Sequence, residues 1–278
     1  MPPSASRFHS PDFPLRVFAE DFFHDIEEIY RYGYYRPLVS LSYYLTWVQA
    51  GDAPRPYHLC NLILHATTTV LVFLVLMQLL AQRPWAAATG ALLFAVHPVH
   101  AESVAWISGR TDVVCALLLL LSMLALLRLH PVDGTGASPP TTRSWILMAA
   151  SAVAFGLSLF AKEMALFWPG VLVAFAATRP PGQRRSWFGA AVLLAAAAAP
   201  YLVLRLAVAG TTAPPMQWRI DQLPAVALTF TSTLARYTGK LLPPFTAEPY
   251  IQNPLVESPL SLGVVCGLML LALSLIHI

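Results

Sequence analysis

Long apolar runs separated by short polar breaks dominate the chain, and their spacing predicts helices that cross a bilayer. Residues 57–81 form one such run, and 85–96 form a shorter one. A third covers 112–129, and 187–207 and 259–278 follow further on. Residues 144–178 stay apolar for about twice a short span, interrupted by Lys162-Glu163 and by Trp168-Pro169. A hydrocarbon core of ~30 Å asks for about 20 helical residues. Several of these runs fall short, which implies tilt, local thinning or half-membrane helices. Residues 38–50, rich in tyrosine and tryptophan but too short to span, suit a helix lying in the membrane plane. The proline-rich stretch 208–258 is too polar to span and reads as a loop with a short helix over 221–242.

Composition agrees with this pattern. Charged residues make up 11% of the chain and hydrophobic ones 57%. Water-soluble domains carry about 25% charge, so the chain is an all-α polytopic membrane protein. The breaks near 82–84, 130–143 and 179–186 carry Arg83, Arg128, Arg143, Arg179, Arg184 and Arg185, with Asp133 as their only acid. By the positive-inside rule these breaks are cytoplasmic. The N-terminal region, the stretch 97–112, Lys162-Glu163 and 208–258 then share the opposite, outer face. The domain plan is an outer aromatic region over 1–56, a transmembrane bundle over 57–207, a second outer loop over 208–258 and a further span from 259. The chain stops inside an apolar run at Leu275-Ile276-His277-Ile278, as a piece of a longer membrane protein would. Cys60, Cys115 and Cys266 sit far apart in helical patterns and read as small buried apolar residues.

The chemistry concentrates in the polar island between the second and third runs. His97, His100, Glu102, Arg110 and Asp112 follow one another there. Ionisable groups near membrane depth are costly and rarely lack a task. Pro98 ends the arriving helix, leaving a short outer helix over 102–109. Glu102 or Asp112 then serves as a general base and Arg110 as an anion clamp, arginine matching phosphate oxygens with two donors at once. The bland alternative is a Glu–Arg–Asp network that fixes the turn. His97, His100 and Glu102 have a spacing that admits a metal, though hydrogen-bonding histidines explain them better, and no metal or other cofactor is predicted. His58, Asn61 and His65 stand at i, i+3 and i+7, one stripe of a helix. The stripe lines a polar cavity or bridges helices by hydrogen bonds. Lys162 either pairs with Glu163 or reaches a lipid-linked phosphate. Arg36 precedes Pro37 and is expected to be held extended.

These residues together resemble a known family. Tyr35-Arg36-Pro37-Leu38, Tyr57-His58-Leu59-Cys60-Asn61-Leu62-Ile63-Leu64-His65-Ala66, the island over 97–112 and Ala161-Lys162-Glu163 are similar, in order and spacing, to the membrane half of the transmembrane and tetratricopeptide-repeat O-mannosyltransferases and their bacterial relatives. The resemblance covers about residues 30–250. It implies a GT-C-like helical bundle with in-plane helices in the first outer loop. It also implies a membrane glycosyltransferase that moves a sugar, mannose by analogy, from a polyprenyl-phosphate donor to a protein hydroxyl or other acceptor. Arg36, Arg110 and Lys162 become donor-phosphate ligands, and an outer carboxylate deprotonates the acceptor. The family's leading helix and acidic pair lack a clear counterpart, since Glu20-Asp21 and Asp25 fall too late. Glu102 and Asp112 stand in for that pair, with His58, Asn61, His65, His97, His100 and Glu163 as polar cavity residues. The expected setting is the bacterial inner membrane, or the endoplasmic reticulum membrane of a eukaryote, with no nucleic-acid partner. The competing reading is a transporter or flippase with the same charges along a translocation path.

Overall fold

The structure is a computed structural model; it describes residues 8, 12–19, 34–131, 141–209, 223–240, 256 and 258–276. Every regular element among them is helical. They are α1 (Phe13–Arg16), α2 (Pro37–Ala50), α3 (Pro54–Leu79), α4 (Pro84–Val96), α5 (Ala101–Ala105), α6 (Arg110–Leu129), α7 (Thr142–Leu159), α8 (Trp168–Ala177), α9 (Pro181–Ala197), α10 (Ala199–Ala209), α11 (Leu223–Lys240) and α12 (Leu262–Ile276). Short 3-10 turns occupy Pro98–His100, Ile107–Gly109 and Glu163–Phe167.

Four helical stretches are long and apolar enough to cross a membrane: Pro54–Leu79, Ile107–Leu129, Thr142–Leu159 and Pro181–Val208. Shorter apolar helices accompany them at Pro84–Val96, Glu163–Ala177 and Leu262–Leu271. The protein is thus an all-α polytopic membrane protein. The apolar run 144–178 resolves into two helices, α7 and α8, with Lys162-Glu163 in the break between them.

Local sequence sets the helix boundaries. Prolines open α2, α3, α4, α8 and α9, where the missing amide costs nothing and the fixed φ suits the first turn. Thr141 and Ser144 cap α7 reciprocally. Pro98 stops α4 by holding His97 in extended backbone, φ −67° and ψ 127°.

The described chain divides into two compact units, residues 1–97 with 103–214, and residues 98–102 with 215–278. In the first, α6 packs on α7, α3 packs on both α4 and α6, and α8 packs on α9. The core runs through Tyr35, Tyr43, Leu126, Leu127, Phe155, Leu159, Leu172, Trp187 and Leu194. Ser122 on α6 and Ser151 on α7, both fully buried, share a hydrogen bond of 2.9 Å across that helix pair. On the outward faces Leu59, Leu62, Ile63, Val70, Leu92, Leu93 and Val192 remain exposed. Apolar helices that expose such side chains have lipid as their natural surroundings. In the second unit α11 lies against α12, and Gly267 lets the backbone of Thr231 approach where a Cβ would collide.

Candidate functional site

At one end of the first unit the polar residues sort into two groups of opposite character. The first centres on Arg110, which is completely buried. It sits in the first turn of α6 because Gly109, just before it, lets the chain fold back on itself. A Cβ at Gly109 would lie 2.6 Å from the carbonyl oxygen of Ser103. The Arg110 guanidinium is consumed by the protein. Its Nε donates to Asn61 Oδ1 at 2.8 Å, its Nη1 to the Ser42 carbonyl and Thr46 Oγ1 at 3.1 Å each, and its Nη2 to the Tyr57 carbonyl at 3.1 Å. Its charge lies 4.5 Å from the Tyr43 ring centre and 5.7 Å from that of Tyr57, within cation–π range. Four of the five donors of an arginine are thereby used. The sequence expected an anion clamp at this position. The geometry instead makes Arg110 a buried tie between α2, α3 and α6, as its donors point into protein acceptors.

Asn61 completes the tie. Its Nδ2 donates to the Trp106 carbonyl at 3.0 Å, on the turn that leads into α6. Tyr43 hydroxyl donates to the Ile107 carbonyl at 2.7 Å, and burial pushes its phenol well above the usual tyrosine range. Ser42, Tyr43 and Thr46 had no part in the expected site. Their signal was a polar i, i+1, i+4 pattern in a segment read only for its interfacial aromatics.

The second group is half open. Arg36 grips Glu163 with two donors, Nε to Oε2 at 3.2 Å and Nη2 to Oε1 at 2.8 Å. The Tyr34 ring lies 4.4 Å from its guanidinium carbon. One residue before Glu163, Lys162 Nζ pairs with Asp112 of α6. The side chains of Arg36, Glu163, Lys162 and Asp112 are 13%, 22%, 26% and 45% exposed. Lys162 therefore pairs with a carboxylate 50 residues away, and its neighbour Glu163 takes Arg36. Arg36 does not adopt the extended backbone expected before proline; its φ of −134° and ψ of 54° bend it toward Glu163. The amide of Leu38 bonds to the Phe160 carbonyl at 3.2 Å, fixing the start of α2 against the end of α7. Behind this contact Tyr35 is buried against Phe160 and Tyr201 and donates to the Phe18 carbonyl at 2.8 Å. Burial raises its phenol as well. Arg205 of α10 acts electrostatically on Glu163, a cation the sequence did not single out because it sits in an apolar run.

The polar stripe on α3 divides. Asn61 and His65 face inward, and His65 Nε2 meets the Ala95 carbonyl at 3.1 Å while its ring stacks on Phe94. His58 departs from the stripe and is exposed. It lies one turn into α3, which begins at Pro54. These inward contacts favour hydrogen-bond bridging over an open polar cavity. Glu102 is exposed. With Pro98 to His100 it groups with the second unit, and His97 closes the first unit's α4. Among the described residues no group of three His, Cys, Asp or Glu could hold a metal ion. Of the cysteines, Cys115 is buried, Cys60 is half-buried and Cys266 is exposed; all three are free thiols. Glu20, Asp21, Asp25 and most of 208–258 lie outside the described residues.

No family model and no solved structure matches the chain. Curated proteins do. Protein O-mannosyl-transferase TMTC1 of Mus musculus is 34% identical over 168 residues, covering 59% of this chain and 18% of that protein. Protein O-mannosyl-transferase TMTC2 of Homo sapiens is 39% identical over 129 residues, 46% of this chain and 15% of the relative. Protein O-mannosyl-transferase Tmtc1 of Drosophila melanogaster reaches 49% over 94 residues, 33% and 11% respectively. The chain thus spans less than a fifth of the length of these relatives.

Proposed function

We propose, from the premise that this chain is a relative of the TMTC protein O-mannosyl-transferases, that it forms part of a membrane glycosyltransferase using a polyprenyl-phosphate sugar. The observation that carries this reading is the pair of half-open cations, Arg36 and Lys162, side by side at one end of the bundle. A lipid-linked donor keeps its tail in the bilayer and its phosphate at the membrane edge, where cations are needed. All four charges stand at helix ends. Arg36 caps α2, Asp112 lies in the first turn of α6, and Lys162 and Glu163 lie in the break between α7 and α8. That placement favours an edge reaction over a translocation path, which would want charges midway along facing helices.

In the proposed step a serine or threonine hydroxyl of a protein acceptor attacks the anomeric carbon of the sugar. The oxygen–carbon bond forms as the bond from that carbon to the phosphate oxygen breaks, its electron pair leaving with the polyprenyl phosphate. The hydroxyl proton passes to a carboxylate, for which Asp112 is the candidate within the first unit. Mannose is the sugar favoured by the relatives' names. The arginine-rich breaks support an outer, periplasmic or lumenal site, and residues 1–56 and 208–258 are assigned to that face.

The test uses the full-length protein that carries this segment, supplied with polyprenyl-phosphate mannose and an acceptor peptide. Lys162→Met is expected to abolish most transfer, and Asp112→Asn to do so by loss of the base. Unchanged transfer in both variants would overturn the site.

A further inference from the structure

The two cations assigned to the donor phosphate are already occupied. Arg36 gives two donors to Glu163, and Lys162 is paired with Asp112. Neither pair is sealed, since the four side chains keep 13% to 45% of their exposure. The contrast with fully buried Arg110, whose donors go to neutral acceptors, is sharp. Water reaches pairs open to this degree and screens them in part, so a phosphate can compete for the cation.

The phosphate changes charge as it reacts. A sugar-linked phosphate is a diester with one negative charge, whereas the departing polyprenyl phosphate is a monoester carrying about −1.5 to −2 at neutral pH. Cations that meet this phosphate therefore bind it more strongly as the bond breaks, which is the differential binding that lowers a barrier. Asp112 changes in the opposite sense. When its carboxylate takes the acceptor proton it becomes neutral and loses its hold on Lys162.

We propose that Asp112 and Glu163 are resident counter-anions of the phosphate site, and that the Lys162–Asp112 pair is an exchange latch: Lys162 passes from carboxylate to phosphate as Asp112 takes up the proton. The proposal rests on the glycosyltransferase reading and adds to it the coupling between phosphate recognition and base release. Before the donor arrives, Lys162 holds Asp112 ionised but engaged. Donor binding brings the phosphate to share Lys162, and the pair parts as the carboxylate takes the proton of the incoming hydroxyl. Arg36 and Glu163 provide the second, fixed-charge half of the same exchange, in which the carboxylate is displaced without being protonated.

The test measures binding of farnesyl phosphate, a short monoester standing for the leaving group, to the full-length protein in detergent, with farnesol as the uncharged control. Removing a resident anion should strengthen phosphate binding, contrary to the usual effect of mutating a site residue. Asp112→Asn and, separately, Glu163→Gln are expected to tighten farnesyl phosphate binding about two- to fivefold, the range set by half-open ion pairs, and to leave farnesol binding unchanged. Lys162→Met should weaken phosphate binding, and adding Asp112→Asn to it should recover nothing. Neither single variant binding farnesyl phosphate more tightly than wild type would overturn the exchange, as would equal tightening by Asp112→Asn with and without Lys162. Should Asp112→Asn fail to fold, Glu163→Gln carries the test at Arg36. A wild-type protein that transfers sugar while neither variant tightens would sink the exchange alone. A wild type that neither binds farnesyl phosphate nor transfers would sink the functional reading beneath it.

Discussion

Two arginines of one bundle show how burial decides what a cation is for. Arg110 is fully enclosed, has four donors on neutral oxygens and lies within cation–π distance of two tyrosine rings. Arg36 also has an aromatic ring beside it, but its partner is a carboxylate and its side chain is 13% exposed. An enclosed guanidinium with four of its five donors taken by the protein offers a ligand little, and removing it strands its partners. An ion pair that water still reaches is partly screened and leaves its cation open to a competing ligand. The Arg110 tie therefore belongs to folding, and the pairs at Arg36 and Lys162 are the ones proposed for chemistry.

The largest effect that separates the two groups is expected from Arg110→Met. Four acceptors, Asn61 Oδ1, Thr46 Oγ1 and the carbonyls of Tyr57 and Ser42, lose a donor together, at about 1–3 kcal/mol for each one left buried and unsatisfied. The detergent-solubilised full-length protein should lose its thermal transition, read by tryptophan fluorescence. Arg110→Lys should rescue only part of it, because an ammonium lacks the planar fork that spans the three helices. A normal melt for Arg110→Met would erase the distinction between the groups. Next comes Lys162→Met, which should cut sugar transfer by about 10²–10³-fold, as loss of one positioned electrostatic group does. Its melting transition should stay close to wild type, since a half-open pair contributes at most about 1 kcal/mol. A Lys162 variant that melted like the Arg110 variant would place both cations in one structural network.

The two groups were not equally legible in the sequence. Periodicity and proline placed most helices to within a few residues, including the break at Lys162-Glu163 and the helix expected over 221–242 and found over 223–240, but the run 187–207 begins at Pro181 and divides at Ala198. Those signals are local, and apolar runs in a membrane chain have few competing structures. The motif residues Arg36, Asp112 and Lys162 were also singled out, because charges in apolar surroundings stand out. What stayed hidden was who pairs with whom. Lys162 adjoins Glu163 in sequence yet pairs with Asp112, and the partners of Arg110 come from α2 and α3, 49 to 68 positions away. Pairing is fixed by packing of helices across the bundle, and no spacing along one helix records it. Arg110 was read as a clamp because its charge was visible and its enclosure was not.

Gly109 and Tyr43 carry the smaller effects, and both probe how tightly the Arg110 tie is set. Gly109→Ala introduces a Cβ 2.6 Å from the Ser103 carbonyl oxygen. The turn into α6 must shift, at a cost of about 1–3 kcal/mol by analogy with overpacked cores. The shift moves the start of α6, so Asp112 should be displaced from Lys162, and transfer should fall along with the melting temperature. Tyr43→Phe is gentler. It keeps the ring near the Arg110 guanidinium and deletes only the hydroxyl that donates to the Ile107 carbonyl at 2.7 Å. That carbonyl also lies 3.4 Å from Asn61 Nδ2, so it keeps one donor within reach and the cost should stay near 1 kcal/mol. Transfer should be unchanged, because nothing in the half-open pairs touches Tyr43. A Tyr43→Phe protein that melts a few degrees lower and transfers normally separates the tie from the site; one that melts normally but transfers poorly would move Tyr43, and with it the Arg110 group, into the chemistry.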